Sequence, residues 1–120
     1  MRIFKNKWFN HFADKEGITD DELVEAVNLL EAGQAADLGG GVYKMRFARP
    51  GEGKSGGYRV IVFFRSEERT FYEFCFAKSD RDNINEKDLR VFKKTAKINL
   101  ALSDEEIRDE LRKRDLIEIF

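Results

Sequence analysis

A chain of 120 residues, 42% apolar and 38% charged, is sized and composed for one domain, long enough to bury a core and too short for two. Its apolar runs fall short of the roughly 20 residues of a membrane helix, and Met1 to Trp8 lacks the apolar stretch of a secretion signal, so a cytoplasmic location is expected. Cys75 is the single cysteine and His11 the single histidine, which excludes an internal disulfide and leaves too little for a zinc site or a Cys-His nucleophile pair.

The net charge of −1 conceals segregation along the chain. Asp14 to Asp37 holds eight acids and one base, a balance of −7. Gly40 to Arg59 holds Lys44, Arg46, Arg49, Lys54 and Arg59 against Glu52 alone, a balance of +4. Such a chain folds with an acidic side and a basic side, and the basic side suits a phosphate-bearing partner, most naturally a nucleic acid. Basic residues on the outer face of a sheet also serve plain solvation and edge protection. Convergence of a strand face, a loop and the next strand's first residue favours the functional reading.

In chain order, Phe4, Trp8 and Phe12 recur every four residues with Phe9 beside them, so Phe4 to Glu16 reads as an amphipathic helix, with a short strand permitted at Arg2 to Phe4. Gly17 ends it. Thr19 with Glu22 forms a capping box, Leu23, Val27 and Leu30 make the buried stripe of a second helix, and Gly33 terminates it. His11 is expected on the surface or in packing.

Three strands follow. Val42 to Arg49 alternates, with Tyr43, Met45 and Phe47 toward the core and Lys44 and Arg46 on the opposite face. Tyr58 to Arg65 contains Val60-Ile61-Val62-Phe63-Phe64, apolar on both faces, and is expected at the middle of the sheet. Thr70 to Lys78 is rich in strand formers, with Cys75 between two phenylalanines as a small buried hydrophobe. Asn85 with Asp88 opens a third helix whose buried stripe is Leu89, Phe92, Ala96 and Leu100; Ser103 with Glu106 opens a fourth, and Asp115 to Phe120 suits an edge strand or an ordered tail.

The loop between the first two long strands carries a decoy. Ala48 to Ser55 satisfies a relaxed phosphate-binding P-loop pattern, but that motif works by opening a helix onto the phosphates, and here Lys54-Ser55 leads into a strand. Nucleotide hydrolysis is therefore not expected.

Gly39 to Arg46, Ala48 to Ile61, and Phe76-Ala77-Lys78-Ser79 followed by Asn83-Ile84 together resemble a toxin of the RelE superfamily from bacterial type II toxin–antitoxin modules, nearest to its HigB-like branch. The resemblance runs from about Lys5 to Leu102. It implies an α+β fold with an N-terminal helical hairpin packed on a small antiparallel sheet and followed by C-terminal helices, one toxin domain over 1–120 with its core at about 5–102 and a C-terminal helix and tail at 103–120. It further implies an mRNA interferase, a ribosome-dependent endoribonuclease that enters the A site and cuts messenger RNA without metal or other cofactor. Carried over by position, Lys44, Lys54, Arg59 and Lys78 are the expected catalytic residues, and Arg46, Arg49, Arg81 and Phe76 the expected RNA and phosphate contacts. Lys44 or Lys54 is the candidate general base, Arg59 a phosphate clamp and Lys78 a candidate acid. Some relatives place a tyrosine where this chain has Phe76-Ala77-Lys78, so the proton donor is the least defined role. The implied partner is an antitoxin, in this branch usually a helix-turn-helix DNA-binding protein. A ParE-like gyrase poison and a non-catalytic regulator that binds nucleic acid or antitoxin remain as alternatives, because one fold carries several functions.

Overall fold

The computed structural model describes residues 1–48, 57–78 and 83–119. In chain order the elements are β1 (Arg2–Asn6), α1 (Lys7–Glu16), α2 (Asp20–Glu31), β2 (Ala36–Gly39), β3 (Val42–Phe47), β4 (Tyr58–Arg65), β5 (Arg69–Ala77), α3 (Glu86–Leu100), α4 (Asp104–Arg112) and β6 (Leu116–Ile119). The strands form one six-stranded sheet in the order β2-β3-β4-β5-β1-β6. All neighbours are antiparallel except β1 and β5.

The expected fold class holds at the level of α+β, with two corrections. A strand, not the helical hairpin, comes first: Asn6 caps α1 by accepting from the Phe9 N–H, so Phe4 lies in β1, and its spacing from Trp8 and Phe12 does not mark one helical face. The sheet is also larger than expected. The short N-terminal strand and the C-terminal edge strand that the sequence permits both form, as β1 and β6, and β2, which was not anticipated, extends the opposite edge, so six strands stand where three to five were anticipated.

Both faces of the sheet are covered. On one, Phe9 and Ala13 of α1 and Leu23, Ala26, Val27 and Leu30 of α2 pack on Met45, Phe47, Val60, Val62, Tyr72 and Cys75. On the other, Ala96 and Leu100 of α3 and Ile107 of α4 pack on Val42, Ile61, Phe63 and Phe71. The uninterrupted apolar run in β4 thus feeds two cores, as the position of β4 between β3 and β5 requires. The Tyr72 hydroxyl, inside the first core, donates to the Leu23 carbonyl, which satisfies its one polar atom and ties α2 to the sheet.

Helix ends follow the expected chemistry. Thr19, Asn85 and Ser103 each accept from the backbone N–H three residues on, and Ser103 with Glu106 forms a full capping box. The two chain ends are joined by Arg2, whose guanidinium donates to both oxygens of Glu118 at 2.8 and 2.9 Å. Lys5, 6% exposed, places its ammonium 2.8 Å from Asp20 and so anchors the start of α2.

At the β2–β3 turn Gly41 has φ +84°, and a Cβ there would lie 2.5 Å from Leu100 Cδ1. Gly33 has φ +75° with open space around it. Gly41→Ala should therefore destabilise by about 2–4 kcal/mol, backbone strain plus overpacking, and Gly33→Ala by about 1 kcal/mol from the backbone alone, read by urea unfolding. Glu73, half-buried at the bulge in β5, accepts from the Asn6 amide at 3.1 Å, yet burial outweighs that bond and raises its carboxyl above the ordinary value. A folded-state value above the unfolded one means stability falls as pH rises from the ordinary carboxyl range through the raised value. Glu73→Gln keeps an acceptor for Asn6 and should be more stable than the parent at pH 7, with the difference vanishing on the acid side of that range.

Candidate functional site

The register of β3, β4 and β5 builds a cationic corner. Arg46 pairs with Arg59, and Arg59 with Phe76; one row further in, Lys44 pairs with Ile61, and Ile61 with Phe74. Alternation along each strand puts Lys44, Arg46, Arg59, Ile61, Phe74 and Phe76 on the α3 side of the sheet, because Met45, Val60 and Cys75 belong to the core beneath α1 and α2. The corner is thus the end of a face whose other end α3 and α4 cover, and not a wholly solvated outer face.

The cations differ in setting. Arg46 and Lys78 are exposed, Lys44 is half-buried, and Arg59 is 6% exposed. Lys44 Nζ donates to Asn83 Oδ1 at 3.2 Å, and the same oxygen accepts from the Ile84 N–H at 2.9 Å, so the segment before α3 holds the ammonium over the strand. Lys78 follows β5, its N–H donating to the Gly57 carbonyl at 3.1 Å, which brings it beside the residue that precedes β4. Arg49, Lys54 and Arg81 lie outside the described residues. So does the P-loop-like stretch from Arg49 to Ser55.

Phe76 is placed beside Arg59 as expected, but at 5% exposure its ring is a wall and not an open stacking surface for a base. It continues an aromatic series: Phe76 to Phe74 at 6.1 Å between centroids, Phe74 to Trp8 at 4.8 Å, Trp8 to Phe12 at 5.2 Å and Phe12 to Tyr58 at 5.8 Å. Sequence reading placed Trp8 on one helical line with Phe4 and Phe12; it is 45% exposed, with its ring against Phe74 at the edge of β5 beyond the reach of β1. The Asn83 contact to Lys44 was also missed, and no local signal could have shown it, since the partners are 39 residues apart.

A cleft of about 400 Å³ adjoins the corner and is lined by Arg46, Phe47 and Tyr58 together with Glu16, Glu22 and Glu25. Its three carboxylates repel phosphate, so the cleft is not the anion site although Arg46 borders it. Cys75 is buried in the core beneath α1 and α2, and burial, aided by Glu16, pushes its thiol up to about 12, which disfavours the thiolate at neutral pH. His11 is exposed on α1. Among the described residues no group of three or more His, Cys, Asp and Glu is placed to hold a metal ion, and no helix is long and apolar enough to cross a membrane.

Two arginines directly opposite on neighbouring strands disfavour a sheet by itself and favour one that receives an anion between them. Lys44 lies on the same face, so three cations stand together at this end of the sheet. Replacing exposed Arg46 or Lys78 with alanine should leave stability within about 0.5 kcal/mol of the parent and lower the slope of log affinity against log salt for single-stranded RNA by about 0.7 for each cation lost, measured by anisotropy titration.

A strand-first α+β topology, a sheet covered by helices on both faces and a cationic corner at the end of the central strands are what the chain presents for comparison with known families. The family model described as RelE toxin of RelE / RelB toxin-antitoxin system covers residues 1–119, and the chain belongs to the RelE toxin family.

Proposed function

We propose that this toxin is a ribosome-dependent endoribonuclease that cuts messenger RNA without a metal and so inhibits translation, that it belongs to the HigB-like branch of its superfamily, and that the whole chain acts as a single toxin domain in the cytoplasm. The observation that carries the reading is the in-register pair Arg46 and Arg59 with Lys44 on the same face, at the end of the α3 side. RelE family toxins are generally endoribonucleases, which agrees with such a site.

The chemistry asked of these residues is transesterification. The substrate's 2′-oxygen attacks the adjacent phosphorus, the bond from phosphorus to the 5′-oxygen breaks, the 2′-hydroxyl proton passes to a base and the departing 5′-oxygen takes a proton. Charge builds on the phosphoryl oxygens between these events, and fixed cations stabilise it. Arg59, held by its burial, and Arg46 opposite it serve as the clamp. Lys44, positioned by Asn83, is the base, with Lys54 from the adjoining loop as the other candidate; Lys78 is the proton donor. Arg49 and Arg81, which lie outside the described residues, are the further proposed phosphate contacts. Phe76 gives the clamp an apolar wall, where fewer competing waters strengthen its attraction for phosphate.

A toxin of this family has an antitoxin as its partner. A helix-turn-helix DNA-binding antitoxin is the kind proposed here, in keeping with the HigB-like branch.

Induction in a bacterium, with mapping of new 5′ ends on messenger RNA, tests the activity. The parent should arrest growth and cut inside translated frames, and Lys44→Ala or Lys54→Ala should cost about 100-fold or more in cleavage on purified ribosomes if that lysine is the base. Soluble, folded parent protein that produces no cuts would overturn the endoribonuclease reading, and gyrase-dependent DNA breaks in the same cells would replace it with the ParE-like one.

A further inference from the structure

A second cleft lies at the other end of β3 from the clamp. It measures about 480 Å³ and is lined by Gly40 and Gly41 of the β2–β3 turn, Arg65 at the end of β4, and Lys93, Lys97 and Leu100 of α3. Its described lining holds cations and no acid, the reverse of the cleft beneath Glu16, Glu22 and Glu25. Gly40 and Gly41, with φ of +65° and +84°, make the two-residue turn between β2 and β3. Their bareness also seats Lys93: a Cβ on Gly40 would lie 3.3 Å from its Cγ, and one on Gly39 3.3 Å from its Nζ. Arg65 is fixed from the other side, donating to the Leu100 carbonyl at 2.9 Å and keeping the remaining donors of its fork.

Plainer accounts cover part of this set. Cations offset the negative end of a helix, which accounts for Arg65 and for Lys97 in the last turn of α3. Lys93 stands two turns back from Leu100, and neither it nor Lys97 forms an ion pair among the described residues. At about 100° per residue, Arg90, Lys93 and Lys97 fall within about 60° of one another on the flank of α3 that meets the turn, whereas Lys87 and Lys94 are set toward solvent beside Val91 and Ile98. Glu86 opens the same flank in the first turn, where an acid serves the helix end.

That flank joins the cleft to the clamp. Asn83, just ahead of α3, holds Lys44, and Leu100, its last residue, holds Arg65. Gly41 is five residues from Arg46, about 17 Å of extended chain, or the length of about five stacked nucleotides at about 3.4 Å each. A free phosphate compound would fill the cleft and leave Arg90 without a role; a strand with a charge at every step uses the whole flank.

We infer that this cleft seats a second phosphate of the RNA strand whose scissile phosphate the clamp holds, with Lys93, Lys97 and Arg65 as its cations. The inference rests on the proposed reading of the clamp as an RNA site and not on cleavage.

The test uses the full chain and fluorescein-labelled 2′-O-methyl RNA, which has no 2′-nucleophile, in lengths of about three and about ten nucleotides, with anisotropy read over a range of salt. Lys93→Ala with Lys97→Ala should lower the slope of log affinity against log salt by about 1.4 for the longer RNA, roughly tenfold weaker binding at about 0.15 M salt, and leave the shorter one unchanged. Lys87→Ala with Lys94→Ala removes the same charge from the far side of α3 and should weaken the longer RNA by less than about threefold, given a screening length of about 8 Å. All four side chains are exposed, and circular dichroism checks that each variant is folded. Longer RNA that ignores the first pair, or is weakened equally by both pairs, overturns the inference, while Arg46→Ala weakening the shorter RNA keeps the clamp reading. Shorter RNA that ignores Arg46→Ala removes the clamp reading and this inference with it. Inorganic tripolyphosphate that binds the parent but not the variant lacking Lys93 and Lys97, beside unchanged binding of the longer RNA, would make the cleft a seat for free phosphate and overturn its assignment to RNA.

Discussion

Everything in this fold follows from the need to cover β4 twice. Val60, Ile61, Val62 and Phe63 are each wholly buried, alternate residues facing opposite sides of the sheet. Exposing either set would forfeit about 1.5–3 kcal/mol for each large side chain, a sizeable part of the stability of a domain this small. Helices α1 and α2 therefore lie on one face and α3 and α4 on the other. Where the run gives way to Arg59, a partly open corner remains, and the cations of β3 fall into register there.

The opposite edge of the sheet brings the chain ends together. β1 joins the sheet beside β5, and β6 pairs with β1, so the chain's two ends close the structure together. The forked contact of Arg2 to Glu118 is half-exposed on the arginine side and adds more to register than to stability. Lys5 is different. Its ammonium is buried, and Asp20 is what makes burial tolerable, so the same contact that satisfies a charge also sets where α2 begins.

Charge is distributed by layer. The acids of α2 lie on one side of the sheet, and the cationic corner and the basic face of α3 on the other. A near-neutral chain therefore presents a polyanion with one attractive and one repulsive face, and orients before contact is made. The cleft beneath Glu16, Glu22 and Glu25 is on the repulsive side, which separates concavity from function in this molecule.

The amino-acid sequence by itself determined the elements with strong local signals: the three capped helices, the central place of β4, the buried thiol of Cys75 and the alternation that puts Lys44 and Arg46 on one face. These rest on neighbours a few residues apart, which periodicity and capping report directly. What only the tertiary structure decided rests on distant pairs. Asp115 to Phe120 suited strand or tail equally until a partner was known, and β1 provides it. Phe4 to Phe12 carried a helical spacing across a strand–helix boundary, and pairing with β5 and β6 takes Phe4 into the sheet. The burial of Phe76, the hold of Asn83 on Lys44 and the cover of α3 over half of the basic face are likewise contacts between segments far apart in the chain. Sequence shows which cations share a strand face; only packing sets how much of that face stays open to a ligand.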